Sequence, residues 1–277
     1  MTGAKAALVE ELVARGLVAR EATWLVDEFF IAADPDFTSA VMVAAERRLA
    51  GEPLQYIVGH WPFRHCDLDV DARVLIPRPE TEELVDIALR ELALGRRSAP
   101  LVADLGTGSG AIIVSLLCEL EERGVQATGI AVDISDDALS VARRNARKHH
   151  LANVSFVQSS WWREVDINVR GRFDLVTANP PYVANDEVSC LEPELSFEPS
   201  TALFADDALG TAGFADVAEI ITSTGPWLSS MGVLIVEHGY RHGAAARDLA
   251  RASGFASVTT ATDMAGHERF LVAKEWS

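Results

Sequence analysis

The sequence predicts an α/β protein in which a doubly wound, mostly parallel sheet follows a small helical domain and a β-hairpin. Three observations lead to this fold class. From residue 101 onward, short apolar strands alternate with helical patterns, which is typical of repeated βα units. A glycine-rich segment, residues 104–110, follows the first strand, and Asn-Pro-Pro-Tyr at 179–182 follows the fourth. The two segments lie about seventy residues apart, as one such domain allows, and we expect both at the carboxyl edge of the sheet.

Composition limits the classes of protein that fit. The chain has 277 residues, of which 49% are hydrophobic and 23% charged, as in globular enzymes. The net charge of −17 argues against a non-specific grip on nucleic acid, and no apolar run approaches the ~20 residues of a membrane span. We therefore expect a cytoplasmic protein with no membrane partner and no stable nucleic-acid partner.

The three cysteines, Cys66, Cys118 and Cys190, are far apart and show no metal-ligand spacing. We interpret them as reduced thiols and expect no metal site. The pair His149-His150 at a predicted helix end is interpreted as a surface feature.

Taken in chain order, the elements fall into three parts. Residues 1–59 are predicted to form a helical domain, since apolar residues recur at helical spacing from Leu8 to Val13 and Gly51-Glu52-Pro53 ends the pattern. Residues 60–77 are predicted to form a β-hairpin linker, because apolar and polar residues alternate there. Residues 78–277 are predicted to form the main domain, which begins with a helix from about residue 79 to 94.

The main domain then alternates between strands and helices. The strands are predicted at 101–104, 128–133, 154–158, 173–178, 232–237, 257–262 and 269–273. Helices are predicted at 109–122 and 136–149, among others. No helix separates the last two strands, so we expect an antiparallel edge near Val258 and Phe270.

The glycine segment predicts a cofactor site. Gly106, Gly108 and Gly110 lie at the turn from a strand into a helix, where glycine permits positive φ and a close approach of ligand to backbone. With Thr107 and Ser109 they form the candidate cofactor loop. The pattern is not G-x-G-x-x-G, and on this segment alone a dinucleotide cofactor remains possible.

Two further residues belong to this prediction. Asp133 ends the second strand, where a carboxylate can accept hydrogen bonds from a ribose diol of NAD or of S-adenosylmethionine (SAM). The alternative role, capping the next helix, is better served by Ser135 or Asp136. Trp161 follows the third strand and is a candidate to cover an adenine face, with core packing as the alternative for it and for Trp162.

The segment at 179–182 predicts the chemistry. An amide nitrogen is a poor nucleophile because its lone pair is delocalised into the carbonyl. A site that makes this nitrogen react, for example with a methyl donor, should accept hydrogen bonds from both of its N–H groups. The Asn179 side-chain oxygen and the Pro180 carbonyl are the candidate acceptors, and Tyr182 is expected to pack on the flat acceptor group. Pro181 completes a narrow slot, and Asn179 is also expected to contact the cofactor. Catalysis would rest on positioning and charge stabilisation, and the transfer of a methyl group from SAM to an NH2 group is the reaction that this pattern indicates.

These residues resemble the bacterial release-factor glutamine methyltransferase family, also called HemK or PrmC. The segments that carry the resemblance are residues 51–57, 75–82, 104–110, 132–135, 179–182, 197–199, 237–240 and 265–266. The resemblance implies a class I SAM-dependent methyltransferase sheet, which is Rossmann-like, with a helical N-terminal domain and a hairpin. It also implies N5-methylation of the glutamine in the Gly-Gly-Gln motif of peptide chain release factors, which the N-terminal domain helps to bind. We expect a monomer.

The chain departs from the family pattern at two places. Ser160 precedes Trp161 where many members have Asp, which affects one polar contact to adenine. Ala212-Gly213-Phe214 stands where the family usually shows Asp-Gly-Leu, in a loop that the motifs lead us to expect at a distance from the methyl-transfer residues. Three alternatives remain at this stage: a small-molecule N-methyltransferase, a DNA adenine-N6 methyltransferase, which would need a basic surface, and a non-catalytic SAM-binding module.

Overall fold

The computed structural model describes residues 3–29, 37–95, 98–185, 187 and 193–277. Its helices are α1 (Gly3–Ala14), α2 (Ala19–Phe29), α3 (Phe37–Leu49), α4 (Leu54–Val58), α5 (Thr81–Gly95), α6 (Ala111–Glu122), α7 (Asp136–Lys148), α8 (Ser200–Leu203), α9 (Ala215–Thr224) and α10 (Gly243–Ala252). Its strands are β1 (His60–Phe63), β2 (Cys66–Asp69), β3 (Leu101–Leu105), β4 (Thr128–Asp133), β5 (Val154–Gln158), β6 (Phe173–Ala178), β7 (Val183–Ala184), β8 (Phe204–Ala205), β9 (Leu228–Glu237), β10 (Phe255–Thr262) and β11 (Glu268–Trp276). The prediction for Cys190 lies outside the described residues.

The first four helices pack around a small apolar core of their own. Leu12, Leu25 and Val41 are completely buried in it, one each from α1, α2 and α3. Gly59 ends α4 with a φ of 81°, a left-handed conformation that suits glycine, and the chain enters the hairpin there. In the described part of the chain, no helix is long and apolar enough to span a membrane.

The predicted hairpin forms as β1 and β2, which pair antiparallel from His60–Asp69 to Phe63–Cys66. Phe63 is buried in the same apolar cluster as residues of α5 and α6. At the turn, the Arg64 guanidinium forms ion pairs with Glu119 of α6 and Asp86 of α5. The hairpin is therefore fastened to the main domain by both apolar and charged contacts.

The main sheet has seven strands in the order β10-β11-β9-β6-β3-β4-β5. The five strands from β9 to β5 run parallel, whereas β11 is antiparallel to both β9 and β10. The predicted antiparallel edge is thus confirmed. β9 starts at Leu228, four residues before the predicted strand, because the chain continues to pair with β6 across an irregularity at which Gly232 packs against the Phe173 carbonyl.

The sheet is covered on both faces. Val233 and Ile235 of β9 lie in the cluster with α5 and α6, and the alternating residues Leu234 and Val236 lie in the cluster with α9 and α10. The chain moves from β3 to β4 on one side and later to β6 on the other, so the strand order reverses at β3. The crevice beyond the carboxyl ends of β3 and its neighbours is where such sheets bind ligands.

Candidate active site

The glycine loop connects β3 to α6 and bends sharply along its length. Gly106, Gly108 and Gly110 have φ values of 70°, 54° and 82°, which residues with a side chain adopt at a cost. A Cβ atom on Gly106 would lie 3.4 Å from the Trp161 ring. Glycine therefore keeps the space between the loop and the indole open to a ligand.

Two side chains of the loop point into the protein. The Thr107 hydroxyl donates to Asp104 Oδ2 over 2.7 Å, and Thr177 of β6 donates to Oδ1 over 2.8 Å. Asp104 is completely buried, and burial raises the pKa of its carboxyl to about 7. Ser109 is also buried, and Asn145 of α7 donates to its backbone carbonyl. Thr107 and Ser109 thus hold the shape of the loop, and a ligand would meet its backbone.

Asp133 lies at the end of β4, next to this loop. Its Oδ2 accepts the Gly108 N–H over 2.9 Å, and its Oδ1 accepts the Ser135 N–H over 2.9 Å. Each oxygen keeps a further lone pair for a hydroxyl of a ligand. Burial raises the pKa of the carboxyl. Of the two cap residues that the sequence left open, Ser135 and Asp136, Ser135 is the N-cap of α7 and accepts from the Ala138 N–H.

The two consecutive tryptophans take different positions. Trp161 has a positive φ of 50° and borders the crevice with its ring at Gly106. Trp162 is buried and stacks on Trp227 at 4.6 Å, and its Nε1–H donates to Thr224. The contact of Trp161 with adenine stays a prediction, whereas Trp162 takes the core-packing alternative.

A cavity of about 330 Å³ joins these features. Six of the predicted site residues line it: Gly106, Gly108, Asp133, Trp161, Asn179 and Pro181. Thr107, Ser109, Gly110, Pro180 and Tyr182 do not. The sequence analysis assigned no ligand contact to several further residues of the cavity wall, which are Arg73, Val74, Leu75, Pro199, Thr201, Ala202, Phe204 and Asp216 of α9. The volume of the cavity is in the range of sites that bind small molecules.

Asn179 is held by a buried chain of hydrogen bonds. Its Nδ2 donates to the Thr81 hydroxyl over 3.1 Å, and that hydroxyl donates to Glu237 Oε2 over 2.8 Å. Tyr182 donates to the other oxygen, Oε1, over 3.3 Å. The Tyr182 hydroxyl is therefore engaged with a carboxylate inside the site. The predicted packing of its ring on a substrate stays a prediction.

Glu237 is the centre of this chain. It lies at the end of β9 and is 1% exposed, and burial raises the pKa of its carboxyl to about 7, with nearby Arg269 opposing the shift. Burial also raises the pKa of the Tyr182 hydroxyl. Glu237 lies in residues 237–240, one of the segments that carry the family resemblance. The sequence did not show that Thr81 and Tyr182 are its hydrogen-bond partners, because these residues meet only in the folded protein.

The segment at residues 75–82 joins the same site. Glu198 is buried and accepts from the Ile76 N–H over 3.0 Å and from Arg78 over 2.5 Å. Thr81 starts α5 and reaches Glu237 and Asn179. Residues 75–82 thus connect the loop before α8 to the ends of β6 and β9.

One expectation needs correction. The loop at residues 212–214 was expected at a distance from the methyl-transfer residues. The structure places it against them: a Cβ atom on Gly213 would lie 2.5 Å from the Tyr182 carbonyl oxygen. Gly213 has a φ of 63°, and Phe214 is completely buried. The loop therefore packs against the backbone of Tyr182. Gly213 and Tyr182 are distant in the sequence, so the motifs did not reveal this contact.

The fold and the site define the class. The chain aligns with the crystal structure of the N-terminal domain of human METTL16 in complex with SAH, with a TM-score of 0.55 and 13% identity, over 98% of this chain and 95% of that one. It aligns with ribosomal protein L11 methylase from Lactobacillus delbrueckii with a TM-score of 0.50 and 17% identity, over 77% and 96%. A family described as "Methyltransferase domain" matches residues 98–257. The fold is that of the class I methyltransferases.

Sequence relatives define the particular family. The release factor glutamine methyltransferase of Aliivibrio fischeri is 39% identical over 83% of this chain and 76% of its own length. The protein of the same name from Burkholderia pseudomallei is 37% identical over 96% and 92%. The chain belongs to the release factor glutamine methyltransferase family.

Proposed function

We propose that this protein transfers a methyl group from SAM to N5 of the glutamine side chain in the Gly-Gly-Gln motif of peptide chain release factors. The observation that carries the proposal is the orientation of Asn179. Because its Nδ2 donates to Thr81, its Oδ1 can accept an incoming N–H. No protein donor to Oδ1 occurs among the described residues. Relatives named for this activity match most of the chain.

The lining of the cavity supports SAM as the cofactor. Asp133 would accept from the ribose hydroxyls, Trp161 would cover the adenine, and the loop at Gly106 and Gly108 would lie along the ligand. A Cβ atom at Gly106 would narrow the gap to the indole, which supports the fit. When bound, SAM supplies an electrophilic methyl group. Ser160 lines the same wall, where it offers a neutral hydroxyl.

The residues of the chain would then position the acceptor. Asn179 Oδ1 and the Pro180 carbonyl are proposed to accept the two N–H groups of the glutamine amide, which orients its nitrogen toward the methyl group. Pro180 is buried and Pro181 lines the cavity. The proposed contribution is positioning and charge stabilisation, with no covalent enzyme intermediate.

The segment at residues 1–59 is proposed to bind the release factor. It is connected to the main domain by charge: Arg48 of α3 pairs with Glu21 of α2 and with Glu194, which lies in the loop before α8. Phe197 of the same loop packs 3.8 Å from the position of a Cβ atom on Gly51. A surface formed by the helical part and this loop would continue from the mouth of the cavity. We also propose that the protein acts as a monomer in the cytoplasm.

Methylation assays with three acceptors test the proposal. The full-length enzyme and SAM are incubated with intact release factor, with duplex DNA or with a protein-free metabolite extract. Mass spectrometry should place one methyl group on the Gly-Gly-Gln glutamine, and a release factor with asparagine at that position should remain unmodified. Methylation of DNA or of a metabolite in preference to the release factor would refute the proposed substrate.

A further inference from the structure

Three potential metal ligands meet between the hairpin and the main domain. They are Cys66 of β2, Cys118 of α6 and His149 at the end of α7. The two sulfur atoms and one ring nitrogen all lie within 4.8 Å of one another. Their wide spacing along the chain led to the expectation of no metal site, and the fold brings them together.

The orientation of His149 suits a metal ligand. Its Nε2 lies 3.0 Å from the backbone carbonyl oxygen of Asp67. A carbonyl oxygen only accepts, so Nε2 is the donor, and in the neutral tautomer that donates there the lone pair for a metal ion is on Nδ1. Histidine ligands in metal sites commonly donate their other N–H to such a carbonyl. The residue is half-buried, so the interpretation of it as a plain surface feature is incomplete.

A buried hydroxyl lies beside the two sulfur atoms. Ser115 Oγ, on the turn of α6 before Cys118, is buried and has no hydrogen-bond partner among the described residues. It can donate to a Cys66 thiolate, which would give this buried hydroxyl a partner.

We propose that Cys66, Cys118 and His149 bind a thiophilic metal ion of the Zn²⁺ class. Two thiolates and one imidazole suit this ion, with water as the fourth ligand, and they do not suit Mg²⁺ or Ca²⁺. Binding releases the two thiol protons. Ligands bound at about 2.0–2.3 Å lie about 3.5 Å apart, so small side-chain movements would close the site. The ion would tie the hairpin to α6, and the proposal does not depend on the substrate of the enzyme.

Metal titration of the full-length, reduced protein tests this site. Co²⁺ alone serves as a spectroscopic probe and Zn²⁺ as its competitor. One equivalent of Co²⁺ should give a thiolate charge-transfer band in the near ultraviolet and the intense visible bands of a tetrahedral site, and Zn²⁺ should abolish both. Cys66→Ser and Cys118→Ser should remove the charge-transfer band. His149→Asn should weaken Zn²⁺ binding by about ten-fold or more.

One control variant and one stability measurement complete the test. His150→Asn should bind like the unmodified protein, since the exposed His150 does not belong to the cluster. Zn²⁺ should raise the Tm of the unmodified protein and leave that of Cys66→Ser/Cys118→Ser unchanged. Absence of the thiolate band in the unmodified protein would overturn the proposal, even if the cysteine variants did not fold. The proposal would also be overturned if Cys66→Ser/Cys118→Ser bound Zn²⁺ as tightly as the unmodified protein.

Discussion

Thr81 Oγ1 lies 3.1 Å from Asn179 Nδ2 and fixes which end of that amide faces the cavity. The Thr81 hydroxyl has one proton, and it donates this proton to Glu237. Toward Asn179 it can therefore only accept. The NH2 end of Asn179 must turn to Thr81, and the oxygen is left for the substrate.

Replacement of Thr81 by valine should slow methyl transfer and leave SAM binding unchanged. Valine keeps the shape of the side chain but removes the acceptor for Asn179, so the amide loses its fixed orientation. We expect kcat to fall by about ten-fold, which corresponds to about 1.4 kcal/mol, the scale of one hydrogen bond. Thr81→Ser is the matched control and should keep most of the activity. Equal kcat values for the two variants would show that the hydroxyl does not orient Asn179.

Replacement of Asn179 by alanine should have a larger effect on the same step. It removes the proposed acceptor of the substrate N–H, and we expect a loss of about 2–4 kcal/mol of transition-state stabilisation. The affinity for SAM, measured by calorimetry, should change far less because Asp133 and the glycine loop remain. A parallel loss of SAM binding would mean that Asn179 mainly shapes the cofactor cavity.

The activity should fall with acid through a pH near 7. Burial raises the pKa of Glu237 to about 7, and below that value its carboxyl can donate to Thr81. The Thr81 hydroxyl is then free to donate to Asn179, and the amide can turn its oxygen away from the substrate. The kcat profile should show this pKa, and Glu237→Gln should be slow at every pH. If kcat depends on pH in the same way in Glu237→Gln, then another group is responsible for the pH dependence.

Stability should change with pH in the opposite direction. Burial raises the pKa values of Asp104 and Glu237 in the folded protein to about 7. Their contribution to the free energy of unfolding is fully present below their unfolded values, about pH 4, and is lost as pH rises through 7. The free energy of unfolding, measured with denaturant, should therefore fall between about pH 4 and pH 7, and it should fall less in Glu237→Gln. If it falls equally in both proteins, Glu237 does not cause the pH dependence.

Replacement of Asp133 by asparagine should weaken SAM binding. The side chain of asparagine has one acceptor oxygen, whereas Asp133 accepts from Gly108 and Ser135 with two and would also serve the ribose. Hydrogen bonds to charged groups are each worth about 1.5–3 kcal/mol, so the Kd for SAM should rise by at least about ten-fold. Asp137→Asn, an exposed change in the next helix, is the control and should bind SAM normally. The prediction fails if both variants bind alike.

Intact release factor should be methylated better than a short Gly-Gly-Gln peptide, because the proposed helical surface makes a second contact. Glu194→Gln removes the negative partner of Arg48 in the loop before α8. We expect a several-fold rise in KM for the intact factor and no change for the peptide, since a partly exposed ion pair is worth up to about 1 kcal/mol. An equal effect on both acceptors would place the defect in the cavity instead.

Local pattern was sufficient for most of the fold. Alternation of apolar strands and helices predicted the sheet and its antiparallel edge, since side-chain periodicity follows directly from backbone geometry. The glycine loop and Asp133 were recognisable because a ligand site at the end of parallel strands requires such residues near one another in the chain. The sequence alone thus determined the fold class and which strand ends carry the candidate site.

Tertiary structure decided the contacts between distant segments. Thr81 and Glu237 are 156 residues apart and meet only because α5 packs beside the end of β9. Gly213 meets Tyr182, and Cys66 meets Cys118, because other elements that are distant in sequence also pack together. Hydrogen bonds and metal coordination depend on distances of a few ångströms in space, and spacing along the chain does not set those distances. The sequence therefore predicted part of the cavity lining, such as Gly106, Asp133 and Asn179, and packing decided the rest of the lining and which groups orient Asn179.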